Sequence, residues 1–91
     1  MAIRVEFYGI PRRRAGVAET TVPTGNDGTR LGDVLRGLVV QFPALSGDCL
    51  DGDRLRLTVA ASLDGRRFLT DPNTRLQAGE CLLLLSADGG G

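Results

Sequence analysis

Histidine and lysine are both absent from this chain of 91 residues. Without histidine there is no ordinary general base for neutral pH, and the commonest metal ligand is missing. Without lysine there is no side-chain amine for a Schiff base or an isopeptide bond; all eleven basic residues are arginine. Self-contained catalysis is therefore not expected. Eleven Asp plus Glu balance the arginines, so no net field draws in a polyanion or a membrane surface. Nucleic acid is accordingly not expected as the main partner. No apolar run is long enough to cross a bilayer, and charge interrupts Met1-Ala2-Ile3-Arg4-Val5-Glu6 before a secretory core can form. The expected location is the cytoplasm.

The two cysteines, Cys49 and Cys81, match no metal or redox spacing. Cys81 opens the apolar run Cys81-Leu82-Leu83-Leu84-Leu85 and reads as a small hydrophobe. Cys49 sits in the polar stretch Ser46-Gly47-Asp48 and reads as the more exposed of the pair. The carboxylates Asp48, Asp51 and Asp53 cluster without the closing Glu of a calcium loop, and read as loop solubility. No metal site is expected.

Periodicity supplies the architecture. Ile3-Arg4-Val5-Glu6-Phe7-Tyr8 alternates with period two, which predicts a half-buried strand. Gly9-Ile10-Pro11 breaks it, and Arg12-Arg13-Arg14-Ala15-Gly16 reads as a solvated turn. Val17 to Val22, rich in β-branched residues and closed by Pro23, predicts a second strand. Thr29 stands where an N-cap belongs and Asp33 falls in the first helical turn. Leu31, Val34, Leu35, Leu38, Phe42 and Leu45 then recur at helical spacing, weakened by Gly32 and Gly37 and stopped or bent by Pro43. Beyond a polar connection, Leu55 to Leu63 and Arg66 to Leu69 read as strands joined through Asp64-Gly65, a type I′ hairpin signal. Turns flank Leu76, and the uniformly apolar Cys81 to Leu85 predicts a central strand. The order strand, strand, helix, strand, strand, strand gives an α+β chain: a mixed sheet of four to five strands on one main helix, the first and last strands adjacent in its centre. This is a β-grasp, expected over residues 1–86, with residues 87–91 as a flexible glycine-rich tail.

After the last strand the chain reads Ser86-Ala87-Asp88-Gly89-Gly90-Gly91. Glycine is 13 of 91 residues, so three in a row at this place arise by chance in roughly 0.3% of such chains. A backbone without Cβ can thread a narrow channel, which would carry the Gly91 carboxylate into another protein's active site. A carboxylate is inert until activated, most simply as an acyl-adenylate made with ATP. Sulfur can then displace AMP and leave a thiocarboxylate.

With these residues in view the sequence resembles the MoaD/ThiS group of ubiquitin-like sulfur carriers over nearly its whole length. The opening Ile3 to Tyr8, the helix from Thr29 to Leu35, the Asp64-Gly65 hairpin, Leu76 to Cys81 and the Gly90-Gly91 end fall in family-like places. The resemblance implies a protein co-substrate rather than an enzyme. Gly91 would be adenylated and thiocarboxylated by an E1-like adenylyltransferase that consumes ATP, with no cofactor bound to the carrier. A sulfurtransferase or persulfide donor and a sulfur-accepting synthase are the other implied partners. By position, Tyr8 and Leu85 would join an apolar docking patch, with Arg67 where a further apolar residue is usual and Gly89 leading into the tail. The chain departs from the molybdopterin-synthase branch in having Ser86-Ala87-Asp88 rather than a proline-rich approach. The long connection after its helix resembles carriers that serve cysteine synthesis. Two other readings remain open: a ubiquitin-like modifier of proteins, and a non-conjugating β-grasp interaction module using Arg12, Arg13 and Arg14, for instance on RNA.

Overall fold

The computed structural model describes residues 1–87. Alternation sets its first strand, β1 (Ala2–Phe7), which buries Ile3, Val5 and Phe7 and turns Arg4 and Glu6 outward. It pairs antiparallel with β2 (Glu19–Pro23). Between them runs a short helix, α1 (Ile10–Ala15), where the sequence suggested only a solvated turn. Pro11 in its first turn presets a helical φ, arginine is a good helix former, and Gly16 closes it in the left-handed region at φ 79°. Buried Pro11 and the part-buried Ile10 and Ala15 hold this helix to the core, while its three arginines face solvent. The second strand begins at Glu19 rather than Val17.

The main helix, α2 (Leu31–Gln41), comes after a two-residue strand, β3 (Thr29–Arg30). Thr29 is therefore not the cap: Arg30 holds that position without a side-chain bond. The first helical amides are satisfied from elsewhere in the chain. Leu31 N–H donates to the Thr74 carbonyl at 2.9 Å and Gly32 N–H to the Pro72 carbonyl at 2.8 Å. That approach explains Gly32, where a Cβ would stand 3.1 Å from Asp53 Cβ and 3.2 Å from Pro72 Cβ. Leu31, Val34, Leu35 and Leu38 face the core as their spacing predicts. Past Phe42 the chain makes one 3₁₀ turn at Pro43–Leu45, the bent final turn that Pro43 allows.

The stretch read as one strand from Leu55 to Leu63 is divided. A small hairpin, β4 (Leu50–Asp51) with β5 (Arg54–Leu55), turns around Gly52 at φ 63°. A further turn, closed by Val59 N–H to the Arg56 carbonyl at 3.0 Å, leads into β6 (Val59–Leu63) and leaves Leu57 99% exposed. β6 and β7 (Arg67–Leu69) are joined by Asp64, Gly65 and Arg66. Asp64 and Gly65 are both at positive φ (54° and 74°), as a type I′ turn requires. Arg66, expected within the strand, stays in the loop, so that Leu63 pairs with Arg67. Then β8 (Arg75–Leu76) pairs with β3, and β9 (Cys81–Ser86) ends the fold.

The main sheet has the order β2-β1-β9-β6-β7. β9 lies at its centre, parallel to β1 and antiparallel to β6, so the α+β, β-grasp expectation holds with a mixed five-stranded sheet. Cys49, expected to be exposed, is fully buried within the core. Its N–H donates to the Leu45 carbonyl at 3.1 Å, which turns the thiol inward with Leu50 while the neighbouring carboxylates take the solvent. Local polarity marks a loop, but not the direction of each side chain along it.

Candidate docking face and tail exit

β9 divides its side chains strictly. Leu82, Leu84 and Ser86 are buried, whereas Cys81, Leu83 and Leu85 are half-buried on the opposite face of the sheet. The strand register assembles their neighbours. Glu6, Leu83, Ser62 and Phe68 stand in one row across β1, β9, β6 and β7. Tyr8 N–H donates to the Leu84 carbonyl at 2.9 Å, which sets Tyr8 beside Leu85, and Leu85 is in turn opposite Ala60. The resulting face is apolar in the middle, with Phe68 69% and Tyr8 45% exposed. Such a surface is a candidate contact site.

One side of this face is charged and organised. Tyr8 Oη donates to Glu6 Oε1 at 2.6 Å, and Arg4 Nη2 lies 2.8 Å from Glu6 Oε2. The phenol hydrogen bond, helped by Arg4, holds the Glu6 carboxyl below the usual carboxylate range. The same bond pushes the Tyr8 phenol up, because ionising it would destroy the donor and set two anions together. Cys81 lies beside this group; partial burial pushes its thiol up, Arg4 pulls it down and Glu6 opposes Arg4. Burial likewise raises Cys49, and the charge of Asp48 adds to it.

The described chain ends just past the C-terminal end of the central strand β9. Ser86 is buried and its Oγ accepts the Ile10 N–H at 3.0 Å, fastening the end of β9 to the start of α1. Ala87 N–H then donates to the Thr58 carbonyl at 2.9 Å. Gly89, Gly90 and Gly91 lie outside the described residues.

Of the expected patch residues, Tyr8 and Leu85 are brought together. Arg67 is exposed on the edge strand opposite Leu63, and its neighbour Phe68 is the residue whose register places it in line with Leu83. Phe68, Leu83 and Ala60 were missed by sequence reasoning. Counting outward from Asp64-Gly65 as a two-residue turn would set Ser62 opposite Arg67. The third loop residue, Arg66, shifts the register by one and brings Phe68 opposite Ser62, which the sequence did not announce. Among the described residues no group of three His, Cys, Asp or Glu side chains is placed to hold a metal, and no helix is long and apolar enough to cross a membrane.

No protein-family model matches the chain, and no curated protein matches it in sequence. Solved structures do match its fold. SAMP1 from Haloferax volcanii superposes with a TM-score of 0.81 at 23% identity, over 100% of both chains. A putative molybdopterin converting factor subunit 1 from Pyrococcus furiosus gives 0.76 at 17% identity, over 94% of this chain and 97% of that one. The complex of subunits 1 and 2 of the molybdopterin-converting factor from Helicobacter pylori gives 0.60 at 21% identity, over 94% and 93%. The fold is thus the ubiquitin-like β-grasp that these proteins share.

Proposed function

We propose that this chain is a sulfur carrier whose Gly91 carboxyl group is adenylated by an E1-like enzyme and converted to a thiocarboxylate. The observation that carries the reading is the place of β9 relative to the chain's exit. The central strand borders an apolar, accessible sheet face and hands the chain out at Ala87, four residues before Gly91. A partner can grip the folded face and receive the glycines in its own active site.

The chemistry divides between carrier and partner. A Gly91 carboxylate oxygen attacks the α-phosphorus of ATP and expels pyrophosphate, giving the acyl-adenylate. Hydrosulfide, or the sulfur of a persulfide donor, then attacks the acyl carbon and expels AMP; a persulfide adduct needs a thiol reductant to release the thiocarboxylate. This chain has no histidine or lysine to move protons in these steps, so acid–base work falls to the partner and the carrier acts as a co-substrate. The sulfur-accepting synthase would be of the molybdopterin or cysteine-synthesis kind. Likeness to the P. furiosus and H. pylori proteins supports this reading at the level of fold.

The likeness to SAMP1, a small archaeal modifier protein, favours a second reading on the same tail. There the acyl-adenylate is captured in the end by a lysine amine of a target, giving an isopeptide bond. The deciding measurement is the intact mass of the full chain after incubation with its E1-like enzyme, ATP and sulfide. Replacement of one oxygen by sulfur, absent when Gly91 is deleted, is the expected result. No mass change under conditions that modify a known carrier would sink the proposal. Mass added only as a lysine-linked conjugate would favour the modifier.

A further inference from the structure

Helix α1 and the turn after β5 enclose a groove of about 870 Å³. Its charged lining is Arg13, Arg14, Arg56 and Asp48. Asp48 is ion-paired with Arg14. Arg13 has no carboxylate within ion-pair distance among the described residues, and Arg56 only reaches Asp51 at 4.0 Å. Three guanidinium groups against one carboxylate leave two positive charges in a chain whose net charge is zero. Ile10, Leu55 and Leu57 give the same groove apolar walls.

Its position matters as much as its charge. Thr58 lines the groove, and the Thr58 carbonyl is the group that holds Ala87. Gly91 lies four residues beyond Ala87, and four residues of chain span at most about 14 Å. Any protein that holds Gly91 therefore stands over this rim. On the far side, Leu55, Arg56 and Leu57 also line a smaller hollow of about 400 Å³ that includes Ala60 and Phe68 of the docking face. Groove and docking face meet along the ridge of residues 55–57.

Resting on the carrier reading, we infer that this groove receives a carboxylate-rich segment of the same activating enzyme that captures Gly91. Arg13 and Arg56 supply fork-shaped donors matched to carboxylates, and the apolar walls take an interleaved aliphatic side chain. The apolar sheet face supplies area, while the cationic groove fixes which way round the carrier sits, so that the tail points into the active site. Charges of this kind act on the encounter rate and its salt dependence more than on the chemical step.

The test uses the full chain, its activating enzyme, ATP and labelled pyrophosphate, monitoring carrier-dependent exchange of pyrophosphate into ATP across a range of salt. The paired change Arg13→Ser with Arg56→Ser is expected to lower kcat/KM about tenfold at low salt and to flatten its salt dependence, with kcat unchanged. Arg13→Lys with Arg56→Lys keeps the charge without the fork, and should restore the salt dependence but only part of the lost kcat/KM. Arg30 and Arg75 face each other across β3 and β8 and line neither hollow. Changing both to Ser removes the same charge and should leave exchange as it was. A groove variant that keeps the wild-type kcat/KM and salt slope overturns the inference and leaves the proposed function standing. A wild-type chain that supports no exchange, with an enzyme active on a known carrier, removes both. A groove variant that exchanges normally but loses binding to a single-stranded RNA oligonucleotide overturns the inference and assigns the groove to RNA.

Discussion

Gly9 and Ser86 are packed so closely that a Cβ on Gly9 would collide with the Ser86 hydroxyl. Gly9 also has φ 64° and ψ −129°, a conformation that L side chains rarely adopt. The same hydroxyl accepts the Ile10 N–H, so two residues far apart in sequence define the corner where the tail departs. Ser86→Ala strands a part-buried amide and should cost about 1–3 kcal/mol in urea unfolding. Gly9→Ala should cost about 2 kcal/mol or more, from backbone strain and collision together. Because removing the hydroxyl relieves part of the collision, the double variant should lose less than the sum of the two. Strict additivity would mean that the hydroxyl and the Gly9 backbone do not constrain one another.

The Tyr8–Glu6 pair offers a clean titration, since the chain has one tyrosine and no tryptophan. The bond raises the phenol, so Tyr8 should ionise above the ordinary tyrosine range, as read by phenolate absorbance. Glu6→Gln removes the anion and should bring the phenol back toward its ordinary value. The linked stability has a definite sign. A raised Tyr8 contributes below the ordinary phenol pKa and loses that contribution as pH climbs through the raised value. A lowered Glu6 contributes above the ordinary carboxylate pKa and loses it as pH falls through the lowered value. A phenol that titrates identically in wild type and Glu6→Gln would show that the pair does not persist in solution.

The two thiols should differ in kinetics. Cys49 is fully buried, whereas Cys81 is half-buried on the open face of the sheet. With a thiol-reactive reagent at neutral pH, the native chain should label slowly at one site, and the second should react only on unfolding. Cys81→Ser should abolish native-state labelling. Rapid labelling that survives Cys81→Ser would mean that the segment around Cys49 opens readily.

The helix α2, the Asp64-Gly65 hairpin and the central β9 were legible because each carries its own local pattern: spacing, turn chemistry and an unbroken apolar run. What was not legible depended on contacts distant in sequence. Thr29 looks like a cap, yet the carbonyls of Pro72 and Thr74 already satisfy the helix start, and no local pattern announces them. Three consecutive arginines hide α1 because its buried side is supplied only by Ile10, Pro11 and Ala15. For the site, Tyr8 and Leu85 were placed by the family resemblance; the alternation of β1 agrees for Tyr8, whereas β9 is apolar on both faces and its parity does not single out Leu85. Phe68 needed the register across two further strands, and the groove beside Thr58 needed the fold itself.

Phe68 separates docking from folding. It is 69% exposed, so Phe68→Ser should change stability by no more than about 0.5 kcal/mol. On the carrier reading it should raise the KM for the chain in adenylation severalfold, with little change in kcat, since it binds the partner and not the reacting carboxyl. Leu83→Ser, in the same row but half-buried under its neighbours, should affect both stability and KM. Deleting Gly91 gives the opposite pattern: unchanged unfolding and no adenylation at any concentration. If Phe68→Ser folds normally and is adenylated with the wild-type KM, the uncovered sheet face is not where the partner docks. The grip on the carrier would then have to lie along the ridge of residues 55–57 and the groove behind it.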